Sequence, residues 1–253
     1  MNREADIRAE ACAYTADGLS FVAIHRGSSL RMQAPLIGEY NVSNCLAAIA
    51  TTILGLSIDA QLVRRGLQTL ENIPGRMEKI DVGQDYIVIV DFAHTPNALK
   101  RSLQAARVEI NRAENAGRLI AIFGSAGLRD RAKRRMMSEI SAELADVTVL
   151  TAEDPRTESL EGILAEMAEG AEARGGMEGK TFWRIPDRGE AIRFGVNMAR
   201  PGDLVIVLGK GHEQSMCFGD IEYLWDDRTA VRAALAERLR LPGPEMPFLP
   251  TRS

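Results

Sequence analysis

Leu119-Ile120-Ala121-Ile122-Phe123-Gly124-Ser125-Ala126-Gly127-Leu128-Arg129-Asp130 is the stretch that decides the fold. Five apolar residues run without a polar break, the pattern of a strand buried on both faces. Glycines and small residues then lead the chain out of the strand. The spacing over residues 130–144 predicts a helix behind them. The same unit recurs downstream. Strands are predicted at residues 86–90, 147–151, 181–185 and 204–208, with helices at 96–112, 159–174 and 188–199 between them. A hairpin through Gly219-Asp220 and a helix over 228–239 close the series. Unbroken Val/Ile strands alternating with helices indicate an α/β fold, a mostly parallel sheet with helices on both faces.

Upstream the pattern changes. Residues 7–13 and 19–25 alternate apolar and polar around Asp17-Gly18, which reads as a β-hairpin. Residues 41–55 place Val42, Cys45, Leu46, Ile49 and Ile53 at helical spacing, with Asn41 or Ser43 available as a cap. Residues 59–70 read as a second amphipathic helix. Ile73-Pro74-Gly75-Arg76 breaks the pattern and separates two regions. At the far end, residues 242–250 hold four prolines and cannot continue a helix.

Composition narrows the function classes. The 253 residues carry 31 Lys and Arg against 35 Asp and Glu, a net charge of −4, which offers no basic surface for nucleic acid or anionic lipid. No apolar run approaches the ~18 residues of a membrane span, and residues 1–10 are too polar for a signal peptide. Three cysteines without a CxxC fit reduced thiols and a cytoplasmic location.

Ligands of such sheets sit beyond the carboxyl ends of the strands. Four of the five predicted strand ends carry clustered Gly, His, Asp, Glu or Arg. They are Asp91-Phe92-Ala93-His94-Thr95, Gly124 to Asp130, Ala152-Glu153-Asp154-Pro155-Arg156 and Gly209-Lys210-Gly211-His212-Glu213. Four clusters on one predicted edge favour a binding site over a merely solvated rim. A fifth glycine-rich segment, Gly176-Met177-Glu178-Gly179-Lys180-Thr181, imitates a phosphate loop. It joins a helix to a strand, the reverse of the order that aims a helix N-terminus at an anion, so a plain turn is expected there.

The ordered motifs resemble one family over nearly the whole length. Gly38-x-x-Asn41-x-x-Asn44-x-x-Ala47-Ala48, Pro74-Gly75-Arg76-Met77-Glu78, Asp91-x-Ala93-His94-Thr95-Pro96, Arg129-Asp130-x-x-Lys133-Arg134, Asp154-Pro155-Arg156 and Gly209-Lys210-Gly211-His212-Glu213 occur in that order. The set resembles the Mur ligases of peptidoglycan synthesis, and most of all the MurE type. That type joins a diamino acid to UDP-N-acetylmuramoyl-L-alanyl-D-glutamate at the expense of ATP. The resemblance implies that residues 1–73 match the end of the central ATPase domain and that 74–241 match the Rossmann-like C-terminal domain. Residues 242–253 are then a proline-rich tail. An outer strand of the first region would expose an edge.

The resemblance also implies roles. Asn44 would read adenine, unless Asn41 and Asn44 only start their helix. Arg76 would meet the nucleotide through its planar fork, or else form an interdomain ion pair. Asp91 would accept ribose hydroxyls. His94 would sit near the nucleotide or orient its turn, and Thr95 would cap the helix that Pro96 begins. Arg129 would take the α-carboxylate of the incoming amino acid. Lys133 and Arg134 follow, with at least one expected in solvent. In the family, the loop holding Asp154 and Arg156 reads the side chain of the diamino acid. Arg156 would clamp the distal carboxylate of meso-diaminopimelate, and Glu213 would meet its ammonium. Gly209 and Gly211 would let the backbone approach closely, while His212 is a ligand contact or a packed loop residue.

One position departs from the pattern. The diaminopimelate-adding sequence is Asp-Asn-Pro-Arg, and this chain has Glu153-Asp154-Pro155-Arg156. Arg156 points to meso-diaminopimelate, which is the favoured substrate, whereas a carboxylate at 154 points to lysine or ornithine, which stay possible. The family's phosphate loop, magnesium-binding glutamate and UDP-binding domain have no counterpart in these residues. The 253-residue chain by itself is therefore expected not to turn over ATP, with Mg2+ ligands and a complementary N-terminal portion supplied elsewhere. Two other readings stay open: a non-catalytic nucleotide- or amino-acid-binding module, and another ligase of the Mur and folylpolyglutamate synthase superfamily.

Overall fold

The computed structural model describes residues 5–15, 18–71, 73–111 and 117–251. It divides into two compact units, Met1–Asn72 and Ile73–Ser253. In the first, β1 (Arg8–Thr15), β2 (Gly18–His25) and β3 (Ser28–Ala34) form an antiparallel sheet in that order. Leu19, Phe21 and Ala23 of β2 and Met32 and Ala34 of β3 are buried, the period-two face of a half-buried sheet. Asp17 of the expected turn lies outside the described residues. Strand β1 stands at an edge, and residues 10–15 of it are exposed.

Helix α1 (Tyr40–Ile49) buries Val42, Cys45 and Ile49 against that face. It runs into a wider π-helical segment, Ala50–Gly55, so the expected helix ends in a loosened turn. Neither Asn41 nor Ser43 caps α1. The chain turns at Gly38, the helix opens at Tyr40, and Asn41 is already inside its first turn. There Asn41 Nδ2 donates to the Ile37 carbonyl at 2.7 Å, and Asn44 Nδ2 donates to Asn41 Oδ1 at 2.8 Å. Helix α2 (Ala60–Gln68) is capped by the Asp59 carboxylate, which accepts from the N–H groups of Gln61 and Leu62.

The second unit is built on a six-stranded sheet. Its strands are β4 (Glu78–Lys79), β5 (Ile87–Asp91), β6 (Leu119–Phe123), β7 (Val147–Leu150), β8 (Phe182–Arg184) and β9 (Leu204–Leu208). The spatial order is β4-β5-β9-β6-β7-β8, parallel except for β4. All five residues of β6 and all five of β9 are buried, so the unbroken apolar runs face helices on both sides. Helices α3 (Pro96–Asn111), α4 (Ala132–Leu144) and α5 (Leu160–Glu172) pack in sequence, and α6 (Arg188–Met198) packs with α7 (Asp227–Leu239). A separate hairpin, β10 (Ser215–Phe218) with β11 (Ile221–Leu224), follows β9. The proline-rich tail makes no helix, and Leu249 within it is fully buried against the core.

The order of strands has a direct consequence for the site. The chain passes from β5 to β6 and returns last to fill the gap with β9. The four ligand-like strand ends therefore belong to four consecutive strands, β5, β9, β6 and β7. The fifth parallel strand, β8, whose end carries no such cluster, is the sheet's outer edge. The crevice favoured for ligands in doubly wound sheets lies where strand order reverses, here around β9. Gly176 to Thr181 forms the turn between α5 and β8, closed on itself by Gly179 N–H to the Phe182 carbonyl and by Met177 N–H to Thr181 Oγ1.

Candidate active-site edge

Beyond β5, the Phe92 ring is a hub. The Arg76 guanidinium lies over it at 4.4 Å, the His94 ring meets it edge-on at 4.6 Å, and the His212 ring lies 4.9 Å away. Three motifs distant in sequence thus meet around a residue that the motif reading passed over. His94 Nδ1 is 2.9 Å from the Phe92 carbonyl and so donates to it, fixing the turn. Thr95 Oγ1 accepts from Ala98 N–H and caps α3, as expected. Asp91 is 5% exposed, and its carboxylate accepts from Met77 N–H at 2.9 Å, Ala93 N–H at 3.0 Å and Ser102 Oγ at 2.8 Å. A carboxylate offers about four acceptor positions, so most of Asp91 is engaged in holding Met77 and the turn.

The approach of the Pro74-Gly75-Arg76 segment to the loop after β9 requires glycine. Gly75 has φ +63°, and any Cβ there would collide with the backbone of Gly211 and His212. Gly75→Ala is expected to cost about 2 kcal/mol or more in urea unfolding, since the left-handed conformation alone costs ~1–2 kcal/mol for an L-residue. An unchanged midpoint would show that these two segments are not packed together.

The loop after β9 also reaches the other way. Lys210 is 2% exposed and points inward, its Nζ 3.0 Å from both oxygens of Asp154 and 2.7 Å from Glu213 Oε2. Burial would lower its pKa. Hydrogen bonding to Glu213 and the charge of Asp154 outweigh that and hold it above the ordinary lysine value. Asp154 Oδ1 also accepts from Cys217 N–H of β10 at 2.9 Å, and Arg156 N–H donates to the Cys217 carbonyl at 3.1 Å. The hairpin thereby braces the loop after β7. The loop after β6 is bonded to it too, through Gly127 N–H to the Asp154 carbonyl at 2.9 Å.

Arg129 lies exposed on that loop. Of Lys133 and Arg134, at least one of which was expected in solvent, Lys133 keeps partial exposure and Arg134 does not. Arg134 is 1% exposed between Glu158 (2.7 Å) and Glu166 (3.0 Å), and Lys133 donates to the His94 carbonyl at 3.3 Å. Both sit on the first turn of α4, where Arg134 turns towards Glu158 and towards Glu166 of α5 while Lys133 reaches the turn after β5. Met77, Leu128, Asp154 and Arg156 all take positive φ, between 40° and 54°. Such strain concentrates where surrounding structure imposes a geometry.

Two buried groups, Glu153 and Arg188, receive no role from the motifs. Glu153 is 5% exposed, and burial drives its pKa up. Lys133, Arg188 and Lys210 pull it down, Asp154 raises it again, and the result is about 7. Its space depends on glycine: at Gly209, with φ +113°, a Cβ would run into the Glu153 carboxylate. Arg188, wholly buried, grips both Asp227 oxygens at 2.7 Å and donates to the carbonyls of Ala152 (3.0 Å) and Leu208 (2.8 Å), the residues just before the two ligand-like loops. The only cue in the sequence was the pair Arg188 and Asp227 at the starts of two helices. Ser125 Oγ, Glu153 Oε2 and Arg156 Nε are buried without a hydrogen-bond partner. Buried polar atoms are rarely left so, and these three lie on one edge of the sheet.

Comparison with known proteins matches residues 75–211 to the family model described as Mur ligase, glutamate ligase domain. The chain belongs to the Mur ligase family. Among curated relatives, the UDP-N-acetylmuramyl-tripeptide synthetase of Roseiflexus sp. is 42% identical over 240 residues, covering 94% of this chain and 45% of that protein. The UDP-N-acetylmuramoyl-L-alanyl-D-glutamate–2,6-diaminopimelate ligase of Thermosynechococcus vestitus is 40% identical, covering 96% and 47%. A solved structure of a ligase of the latter name shares 32% identity at a TM-score of 0.60, covering 94% of this chain and 47% of that one. The Thermotoga maritima UDP-N-acetylmuramate-alanine ligase, at 18% identity and TM-score 0.65, with the same coverage, shares the fold. This Mur ligase chain spans about half the length of the relatives it matches. Among its described residues, no three His, Cys, Asp or Glu are grouped to hold a metal ion, and no helix is long and apolar enough to cross a membrane.

Proposed function

We propose that this segment is the amino-acid-reading part, with some of the nucleotide site, of a MurE-type ligase. The supporting observation is the joining of the Asp154-Pro155-Arg156 loop to the Gly209–Glu213 loop through Lys210 and Asp154 at 3.0 Å. In this reading Arg129 takes the α-carboxylate of the diamino acid, Arg156 its distal carboxylate and Glu213 its ammonium. Gly209 leaves room for the buried Glu153 carboxyl behind its loop. Arg76 and the acceptor capacity left on Asp91 serve the phosphate and ribose of ATP, and His94 orients that turn. ATP would phosphorylate the glutamate carboxylate of the UDP-N-acetylmuramoyl dipeptide. The amine would then attack that acyl phosphate, forming the amide and releasing phosphate. Positioning and charge stabilisation carry such chemistry. The phosphate loop and Mg2+ ligands are expected on an N-terminal portion that acts with these residues.

The test exchanges this segment for the matching part of the Roseiflexus synthetase and follows ADP release with meso-diaminopimelate, lysine and ornithine. Diamino-acid-dependent amide formation by the chimera, with none by the 253-residue chain alone, is the expected result. A folded chimera that binds nucleotide and amino acid but forms no amide would favour a binding module instead.

A further inference from the structure

Asp154 raises a question of charge. A free carboxylate beside Arg156 would repel the distal carboxylate of a diaminopimelate and attract the ammonium of lysine. The structure does not leave Asp154 free. Both of its oxygens meet buried Lys210, and one also takes the Cys217 N–H. Its backbone, at φ +40°, is in the region that Asn and Asp tolerate best among residues with a side chain. Position 154 is therefore restricted first by backbone geometry and by the Cys217 N–H, both of which Asn or Asp satisfies. What distinguishes Asp from Asn here is the ammonium behind it. With Asp154 at −1, Lys210 at +1 and Glu213 at −1, the trio carries −1, and Glu213 is its more exposed acid, with 41% side-chain exposure against 19% for Asp154.

We propose that Lys210 is a specificity-determining residue of the amino-acid site: it engages both oxygens of Asp154 but only Oε2 of Glu213, so it holds the charge of Asp154 away from the substrate and leaves Arg156 and the other oxygen of Glu213 to choose between a distal carboxylate and a bare ammonium. This rests on the reading of the edge as a diamino-acid site. Lys210 acts through Asp154 and touches no substrate, so its signature is non-additivity. Removing Lys210 uncovers a carboxylate, and an unscreened charge a few ångströms from a ligand charge shifts binding by about tenfold or more.

The experiment measures binding of meso-diaminopimelate and of L-lysine to the 253-residue chain by saturation-transfer NMR, in the parent, Asp154→Asn, Lys210→Gln and the double variant. Thermal unfolding checks that each is folded. Lys210→Gln is expected to move the preference towards lysine by about tenfold, and Asp154→Asn in that background to reverse most of the move. Asp154→Asn in the parent should change the ratio by less than about threefold. An equal effect of Asp154→Asn with and without Lys210 overturns the proposal. A tenfold change from Asp154→Asn in the parent also overturns it, even if Lys210→Gln does not fold. Failure of every folded variant to bind either amino acid sinks the diamino-acid reading itself, a different result from additive binding effects.

Discussion

Replacing Arg188 by methionine is expected to lower the unfolding free energy of the second unit by about 3–5 kcal/mol. Arg188 and Asp227 are both wholly inaccessible to solvent. Burial by itself lowers the Arg188 pKa, but the paired Asp227 carboxylate, helped by Glu153 and Asp154, holds it above the ordinary value. Methionine fills much of the volume and leaves the Asp227 carboxylate with only the Trp225 Nε1–H donor, at 2.8 Å, of the bonds described here. Two carbonyls, of Ala152 and Leu208, lose their donor as well. An uncompensated buried charge dominates the loss, so adding Asp227→Asn should recover part of it. Because those carbonyls precede Glu153 and Gly209, the variant should also bind amino acid more weakly while still folded. Urea unfolding decides the matter. A loss below about 1 kcal/mol would mean that the pair is not buried as described.

The second large effect concerns Glu153 and depends on pH. Below about pH 4.5, its ordinary value, the carboxyl is protonated in folded and unfolded chains alike. Between there and about 7 the unfolded chain ionises while the folded chain keeps its proton. Stability contributed by the neutral carboxyl is thus fully present below pH 4.5 and lost as pH rises to about 7. At ~1.4 kcal/mol per unit, the loss is about 3 kcal/mol. Glu153→Gln cannot ionise. The variant's stability relative to the parent should therefore grow by about 3 kcal/mol from pH 4.5 to 7.5, read from urea midpoints. Parallel curves for the two proteins would show that the carboxyl is not desolvated.

The strand–helix alternation of the second unit was legible because apolar runs such as Leu204–Leu208 are buried on both faces. Strand β3 alternates apolar and polar residues, Leu30, Met32 and Ala34 against Arg31 and Gln33, but over only a few residues, and it escapes notice until its pairing with β2 shows it. Strand β4 has only two residues and exists through pairing with β5. At the site, the loops could be located from polar residues following apolar strands. Their inner wiring could not. Which of Glu153 and Asp154 turns inward, and which meets Lys210, follows from a left-handed backbone and from glycine contacts between loops more than 50 residues apart. Phe92 has no charge to mark it, and it becomes a hub only when β5 and β9 stand side by side.

Amide NMR of the 15N-labelled chain titrated with meso-diaminopimelate tests the central claim most directly. The account predicts shift changes concentrated at Arg129, Glu153, Asp154, Arg156 and the Gly209–Glu213 loop. Changes confined to the opposite end of the sheet, around Lys79 and Tyr86, or to the first unit, would contradict it.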